Sequence, residues 1–496
     1  MKHYKKSGLK DTIKSAYSAA VRFVYRWRTV LVASYLTTSI ILFFFQFNLL
    51  TNWDMLVRIL NANYLFHGGY YFEPARAVLE SFLIGVFSFF MGNYAVYGFM
   101  ALSTVVFFLS AWRLSAAFGL DSLLFLTVLM NPYVLLYGMS NGSELLVLSF
   151  LMLYVAAIKT KSYLAGLFFG LAFMSKYYAV YFLPLMVFLV ERDVIQSIKR
   201  LGINLLTLFA ALLPYFVFNL VYFGNLLYGL ALSYLNNGIE AGSPQFLSAG
   251  FIELAVPAVI LAGALLFRRK LVLPRLRPAL ILSVAFAASI YLYYASGALS
   301  IPASNAYRFF LPAMLFSLIS VSMFLEKKTV VWLIVLPLIS FPIAFLAVSS
   351  QAQTAPLPGY FSNAVSDFAS VYNTTNCTVY SNDWVELDYY GLPAVAGPRY
   401  EPTVYNGTPI VSFGEANTTY PLRFRAGNLY IYGGAYCRFY KVQEGFISSE
   451  NAYLAYTNQT LIPEDPCFWL FGMSPKLQWA DSSCDYVNGA AAAILR

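Results

Sequence analysis

The chain has 496 residues, of which 59% are hydrophobic and only 11% are charged, and its mean hydropathy is +0.64. Soluble domains average about 45–50% apolar and about 25% charged residues. The composition therefore excludes a water-soluble globule, a disordered chain and a nucleic-acid binder, even though the formal net charge is +9. It predicts an α-helical polytopic membrane protein.

The charge changes sign along the chain. Residues 1–349 contain 25 of the 32 Lys and Arg residues and 11 of the 23 acidic residues, whereas residues 350–496 contain 7 basic and 12 acidic residues. We therefore expect a basic, amphipathic, cytoplasmic segment at 1–28, a transmembrane domain at 29–349 and an extracytoplasmic domain at 350–496.

Apolar runs near the length of about 20 residues that a membrane helix needs predict eleven crossings. They lie at 29–50, 94–113, 119–137, 143–158, 162–176, 177–190, 203–222, 251–267, 279–297, 307–325 and 329–349. Short loops rich in Lys and Arg stay in the cytoplasm, and this assignment places 21 of the 25 basic residues there. The N-terminus is then cytoplasmic, the first outer loop is 51–93, and the C-terminal domain lies outside.

The C-terminal domain is predicted to be mixed α/β, with a helix at 361–372 and strands at Val379–Ser381, Asn428–Tyr432 and Arg438–Val442. All four cysteines lie in it, which indicates disulfides in an oxidising compartment and leaves three pairings open. They are Cys377, Cys437, Cys467 and Cys484. Five glycosylation sequons agree with an external face, although an Asn/Thr-rich surface would give the same pattern. They begin at Asn373, Asn376, Asn406, Asn417 and Asn458.

Several ionisable residues of the membrane region map to outer loops and outer ends of spans, where such groups suggest function. They are Asp54, Arg58, His67, Glu73, Arg76, Glu80, Glu144, Lys176 and Arg308. A transporter would more often hold its charges near the midplane, between repeated halves, and no internal repeat is visible. The pattern favours a site at the outer membrane surface.

The first outer loop contains the densest group of charges. Asp54, Arg58 and Asn61 have the spacing of one helix face. After Pro74, the apolar run Ala77–Met91 ends at Gly92-Asn93 and is expected to lie along the interface. Asp54 could also be a helix N-terminal charge or a partner of Arg58.

Several segments together resemble the polytopic GT-C glycosyltransferases, which take sugars from polyprenyl-phosphate donors. The resemblance begins with a carboxylate just after the first span, at Asp54. It continues through the segments 68–74, 131–144, 165–177, 306–312 and 378–398. The Trp-Trp-Asp-Tyr-Gly type of motif of oligosaccharyltransferases is absent, so transfer of a whole glycan to Asn is not expected. Asn-Trp-Asp also replaces an Asp-x-Asp or Asp-Glu pair, which leaves a divalent metal open as a cofactor.

The resemblance implies an inverting hexosyltransferase of mannosyltransferase type. Asp54, or else Glu73, would deprotonate the acceptor hydroxyl, and Arg308, Lys176 and Arg76 would bind the donor phosphate. Arg58, Tyr307 and Glu144 would support them. For Arg308 and Lys176 the alternative is an interfacial anchor, for Glu144 a helix-start charge, and for His67 an ordinary loop residue.

The expected partners are a polyprenyl-phosphate-linked sugar, a glycan, lipid or protein acceptor, and membrane lipids, with no nucleic acid. The sequons and cysteines fit an archaeal-type cell membrane better than an endoplasmic reticulum. Two other functions stay open: a lipid or solute transporter or flippase, and a non-catalytic cell-surface assembly protein.

Overall fold

The structure is a computed structural model. It describes residues 53–69, 72–121, 144–191, 193–231, 276–295, 311–320, 359–371, 379–381, 383–396, 409–415, 420–426 and 429–433, with scattered positions elsewhere. Several expectations lie wholly or largely outside these residues. They are the spans at 29–50, 119–137, 251–267 and 329–349, the strand Arg438–Val442, the four cysteines, the five sequons, and Tyr307 and Arg308.

Helix α1, Trp53–His67, has three different faces. Met55 and Ala62 belong to the large apolar core of the helical bundle. Leu56, Val57 and Leu60 pack instead into the core of a small α/β unit. The polar stripe that begins at Asp54 runs between these two apolar faces, because successive residues of a helix are rotated by about 100°.

Helix α2, Val78–Met91, ends at Gly92, whose φ of 54° lies in the left-handed region that favours glycine. A short 3-10 turn, Gly92–Tyr94, leads into α3, Ala95–Phe118. The chain folds back on itself here: a Cβ on Gly98 would lie 2.6 Å from side-chain atoms of both Phe87 and Met91. The segment Val78–Phe118 is thus a bent pair of helices, and the break at Gly92-Asn93 that the sequence predicted is confirmed.

The next four helical segments run back and forth through the core. They are α4 (Glu144–Thr160), α5 (Ala165–Ser175), a 3-10 helix (Tyr177–Leu189) and α6 (Val194–Phe223). The chain is extended at Lys176, with φ −153° and ψ 132°, so the predicted boundary between residues 176 and 177 is confirmed. Helix α7, Leu276–Ala295, and the helical residues Leu311–Ser320 contribute further buried apolar side chains.

The segment expected as a short span at 177–190 is a 3-10 helix over Tyr177–Leu189 rather than an ordinary α-helix. A 3-10 helix rises about 2.0 Å per residue against about 1.5 Å in an α-helix, so these 13 residues extend about 26 Å instead of about 20 Å. The Tyr154 hydroxyl of α4 donates a hydrogen bond to the carbonyl of Phe182, at 3.3 Å, and holds this helix against the bundle.

Two helical segments within the described residues are long and apolar enough to cross a membrane, Val78–Phe118 and Val194–Phe223. Helix α6 leaves a continuous set of large apolar side chains exposed. Among them are Leu206, Phe209, Leu213, Val217 and Val221. An apolar surface of this length is unfavourable in water and is typical of a helix that faces lipid.

A five-stranded sheet with strand order β2-β1-β3-β5-β4 completes the described fold. The strands are β1 Val379–Ser381, β2 Ala394–Ala396, β3 Pro409–Phe413, β4 Leu422–Ala426 and β5 Leu429–Gly433. β1 is parallel to β2 and β3, whereas β5 is antiparallel to β3 and β4. Helix α8 consists of Gly359–Val371. The short helix α9, Trp384–Tyr389, packs on α1. The predicted helix at 361–372 and strand Val379–Ser381 are confirmed, and β5, Leu429–Gly433, coincides with most of the predicted strand Asn428–Tyr432.

Candidate functional site

Asp54 lies in the first turn of α1, at the seam between the bundle and the sheet. It shares one helix face with Arg58 and Asn61, as the spacing predicted, and the three residues are only 8%, 4% and 1% exposed. Buried polar and charged groups are costly unless they are paired. This face therefore requires partners from elsewhere in the fold.

The segment Glu73–Arg76 supplies the partners of Asp54 and Asn61. The Asn61 side-chain amide donates to the Glu73 carbonyl at 3.0 Å, and its oxygen accepts from the Glu73 N–H at 2.7 Å. Arg76 then bridges the two predicted acids: its Nη1 lies 3.0 Å from Asp54 Oδ1 and its Nε lies 3.2 Å from Glu73 Oε1. The two candidate bases thus belong to one hydrogen-bonded unit.

The position of Asp54 in the first helical turn also fits the alternative of a helix N-terminal charge. Asp54 also forms an ion pair with Arg76, which lies outside its own helix. Arg58 forms an ion pair with Glu80 of α2, and the two side chains are 4% and 1% exposed. The pair ties α1 to α2 in the interior.

A second ion pair joins Lys176 to Glu144. Glu144 stands in the first turn of α4, as the helix-start alternative expected, and its side chain is 1% exposed. Lys176 is located at the extended break between α5 and the 3-10 helix, and its ammonium lies 5.8 Å from the centre of the Tyr178 ring.

The pairs form one electrostatic cluster rather than separate contacts. Glu80 interacts with the charges of Arg58, Lys176, Glu144 and Asp54. The neighbouring Tyr177 hydroxyl donates to the Arg76 carbonyl at 3.3 Å, which links the Lys176 break to the first loop. The structure therefore brings together six of the predicted residues: Asp54, Arg58, Glu73, Arg76, Glu144 and Lys176.

We call these six residues and Glu80 the charge cluster. It contains four carboxyl groups and three cationic groups, and most of its side chains are nearly closed to solvent. Arg76 is the exception, with 29% of its side chain exposed, followed by Lys176 with 14% and Asp54 with 10%. Arg76 is therefore the member of the charge cluster that is most accessible to solvent.

His67 does not belong to this cluster. It is the exposed last residue of α1, and its Nε2 lies 2.6 Å from the Ser88 hydroxyl of α2. Within the described part of the chain, no group of three or more His, Cys, Asp or Glu side chains could hold a metal ion.

Sequence reasoning gave no role to three residues that the structure makes central. Glu80 is one of the outer charges of the sequence, but only the fold reveals its pairing with Arg58. The spacing of Asn61 predicts the polar face of α1 but not its hydrogen bonds to the Glu73 backbone. The Tyr177 hydroxyl carries no sequence signal, since Tyr is abundant in this chain.

Comparison of the chain with family profiles, with curated proteins and with solved structures gave no match.

Proposed function

We propose that the protein is a polytopic membrane glycosyltransferase of GT-C type. It moves a sugar from a polyprenyl (dolichyl) phosphate donor to an acceptor on the extracytoplasmic side. The proposal includes eleven membrane crossings, a cytoplasmic N-terminus, and an external C-terminal α/β domain that carries the disulfides and glycans.

Two charged layers at opposite ends of one helix support the membrane part of the proposal. Helix α4 begins at Glu144, in the charge cluster, and ends near Lys159 and Lys161. The Lys161 ammonium lies 2.7 Å from Glu191 Oε1. The 17 residues of α4 rise about 25 Å, close to the hydrocarbon thickness of about 30 Å. The acidic and basic residues of α4 occupy only its first and last turns, which is the distribution that a bilayer requires.

The observation that carries the enzymatic proposal is the unit of Asp54, Arg76 and Glu73 on the polar face of α1. Asp54 is held by Arg76 at 3.0 Å, and 10% of its side chain is exposed. A carboxylate held in this way can serve as a positioned general base, a role that contributes about 10²–10⁴-fold to a rate.

The proposed reaction is a single displacement. Asp54 takes the proton of the acceptor hydroxyl, the acceptor oxygen bonds to the anomeric carbon, and the bond from that carbon to the phosphate oxygen breaks. The lipid phosphate leaves with the bonding electrons. Arg308, Lys176 and Arg76 are the proposed phosphate-binding groups, because cations stabilise the charge that develops on the leaving oxygen.

The position of the charges favours this enzyme over a transporter or flippase. A transport pathway would place charged groups along the bundle, near the membrane midplane. In the described residues of α4 and α5 the charged groups are found at or beyond the helix ends.

The test is sugar transfer by the full-length protein in membranes, from a radiolabelled dolichyl-phosphate hexose to endogenous acceptors. We expect Asp54→Asn to lower the transfer rate at least 100-fold at unchanged protein level. Asp367→Asn is the matched control, because this aspartate is exposed on α8 and far along the chain from the cluster. Undiminished transfer by Asp54→Asn would remove Asp54 as the base, and no transfer from any polyprenyl-phosphate sugar by the wild type would refute the enzyme class.

A further inference from the structure

A second group of charges lies at the other end of α4 from the charge cluster. Lys161 follows the end of α4, Glu191 follows the 3-10 helix, Arg200 is on α6 and Arg277 is near the start of α7. Glu191 Oε1 pairs with both the Lys161 ammonium, at 2.7 Å, and the Arg200 guanidinium. Arg277 donates to the Phe188 carbonyl at the end of the 3-10 helix. We call Lys161, Arg200 and Arg277 the basic triad.

In the described part of the chain, the triad has more positive charge than its ion pairs compensate. Glu191 provides one negative charge for three cations. Asp193 is also near in sequence, but it is exposed, and its carboxylate accepts the Ile195 and Gln196 N–H groups as the N-cap of α6. Burial lowers the pKa of Lys161, and the charges of Arg277 and Arg200 lower it further. The three cations therefore repel one another at close range.

The backbone at Lys161 shows that this cation is held at a conformational cost. Helix α4 ends in a Schellman motif, in which Ser162 N–H donates to the Ala157 carbonyl and Lys161 N–H to the Ile158 carbonyl. The motif puts Lys161 in the left-handed region, with φ 57°. Glycine is the usual residue at this position, because a side chain is strained there. A lysine at this position is less stable than a glycine would be, but it adds a positive charge.

Although Arg200 pairs with Glu191, its guanidinium is not fully hydrogen-bonded. Its Nε is buried without a hydrogen-bond partner, although buried polar atoms are nearly always bonded. Its guanidinium also lies 5.8 Å from the centre of the Tyr163 ring. Exposed apolar side chains continue from this point, and they include Leu164, Ile198, Leu205 and Leu206.

We propose that the basic triad binds the phosphate of an anionic phospholipid headgroup, whose acyl chains lie on the exposed apolar surface of α6. The phosphate oxygens would accept hydrogen bonds from Lys161 and Arg200 and would neutralise the excess charge. Basic pockets between membrane helices bind anionic headgroups in this way. The adjacent apolar surface favours a lipid over free phosphate, because acyl chains can pack on this surface and a phosphate ion cannot. This site is independent of the glycosyltransferase proposal.

The test measures binding of phosphatidylglycerol and of phosphatidylcholine to the purified full-length protein by native mass spectrometry. The protein is released from detergent at defined lipid concentrations. We expect the wild type to retain phosphatidylglycerol about tenfold more tightly than phosphatidylcholine, and Lys161→Gly to lose most of this preference. Lys161→Gly suits the left-handed backbone, so its melting temperature should be unchanged or higher.

Lys199→Gln is the matched control, because Lys199 is exposed and next to Arg200 in the chain. It removes one positive charge and should keep the lipid preference. Equal loss in Lys199→Gln and Lys161→Gly would indicate general attraction to a basic surface and overturn the site. An unchanged preference in Lys161→Gly would also overturn it. Displacement of phosphatidylglycerol by an equal concentration of inorganic phosphate would show that the ligand is free phosphate and refute the lipid assignment.

Discussion

The buried ion pair between Arg58 and Glu80 gives a sharp prediction about stability. The two side chains are 4% and 1% exposed, so Arg58→Met would leave the Glu80 carboxylate inside the protein without its main counter-charge. Removing one partner of a buried pair costs about 3–5 kcal/mol. We expect the lower part of this range, because Lys176 also interacts favourably with Glu80.

The loss can be measured as the free energy of unfolding of the purified protein in mild detergent, from a denaturant titration followed by Trp fluorescence. Arg113→Met is the control, because Arg113 is exposed on α3, and it should change stability by less than about 0.5 kcal/mol. The double variant Arg58→Met/Glu80→Leu should recover most of the loss, since apolar side chains of similar size can replace a buried pair at little cost. Equal effects of Arg58→Met and Arg113→Met, or no recovery in the double variant, would refute the reasoning.

Two further predictions concern packing and pH. A Cβ on Gly166 would lie 1.7 Å from the Asn204 carbonyl oxygen in α6, so Gly166→Ala should destabilise the bundle by about 1–3 kcal/mol or more in the denaturant titration. A Cβ on Gly202 would meet nothing within 4 Å, so the control Gly202→Ala should be neutral or stabilising in the same assay. Burial raises the pKa of Glu386 from 4.5 to about 7. The folded state therefore binds more protons than the unfolded state between these values, and stability should fall as pH rises through this window. Above pH 7, Glu386→Gln should be more stable than the wild type by up to about 3 kcal/mol, and near pH 4 the two should be equally stable. Denaturant titrations at several pH values measure this difference. A difference in stability that does not vary with pH would contradict the prediction.

Local sequence patterns were enough to locate many of the elements. The apolar run that stops at Gly92-Asn93 is α2, and the boundary at Lys176 is a real break in the chain. The spacing of Asp54, Arg58 and Asn61 correctly predicted one helix face. These successes share a cause, because helix ends and helix faces depend on interactions between residues near in sequence.

The sequence did not predict the 3-10 form of Tyr177–Leu189, because the choice between two helical forms depends on what the segment packs against. Tyr154 and Arg277 contact its backbone from other helices. The same limitation applies to α1. Its apolar residues were visible in the sequence, but their division between the bundle core and the sheet core was not.

The sequence by itself determined that the chain is unusually apolar, that its few outer charges are conspicuous, and that Asp54 belongs to a helix with a polar face. Only the tertiary structure decided the partners of those charges. Asp54 pairs with Arg76 from the following loop, although Arg58 is one turn away on its own helix, and Arg58 pairs with Glu80. The reason is burial: a charge removed from water needs a counter-charge within a few ångströms. The fold, rather than proximity in sequence, brings that counter-charge into place.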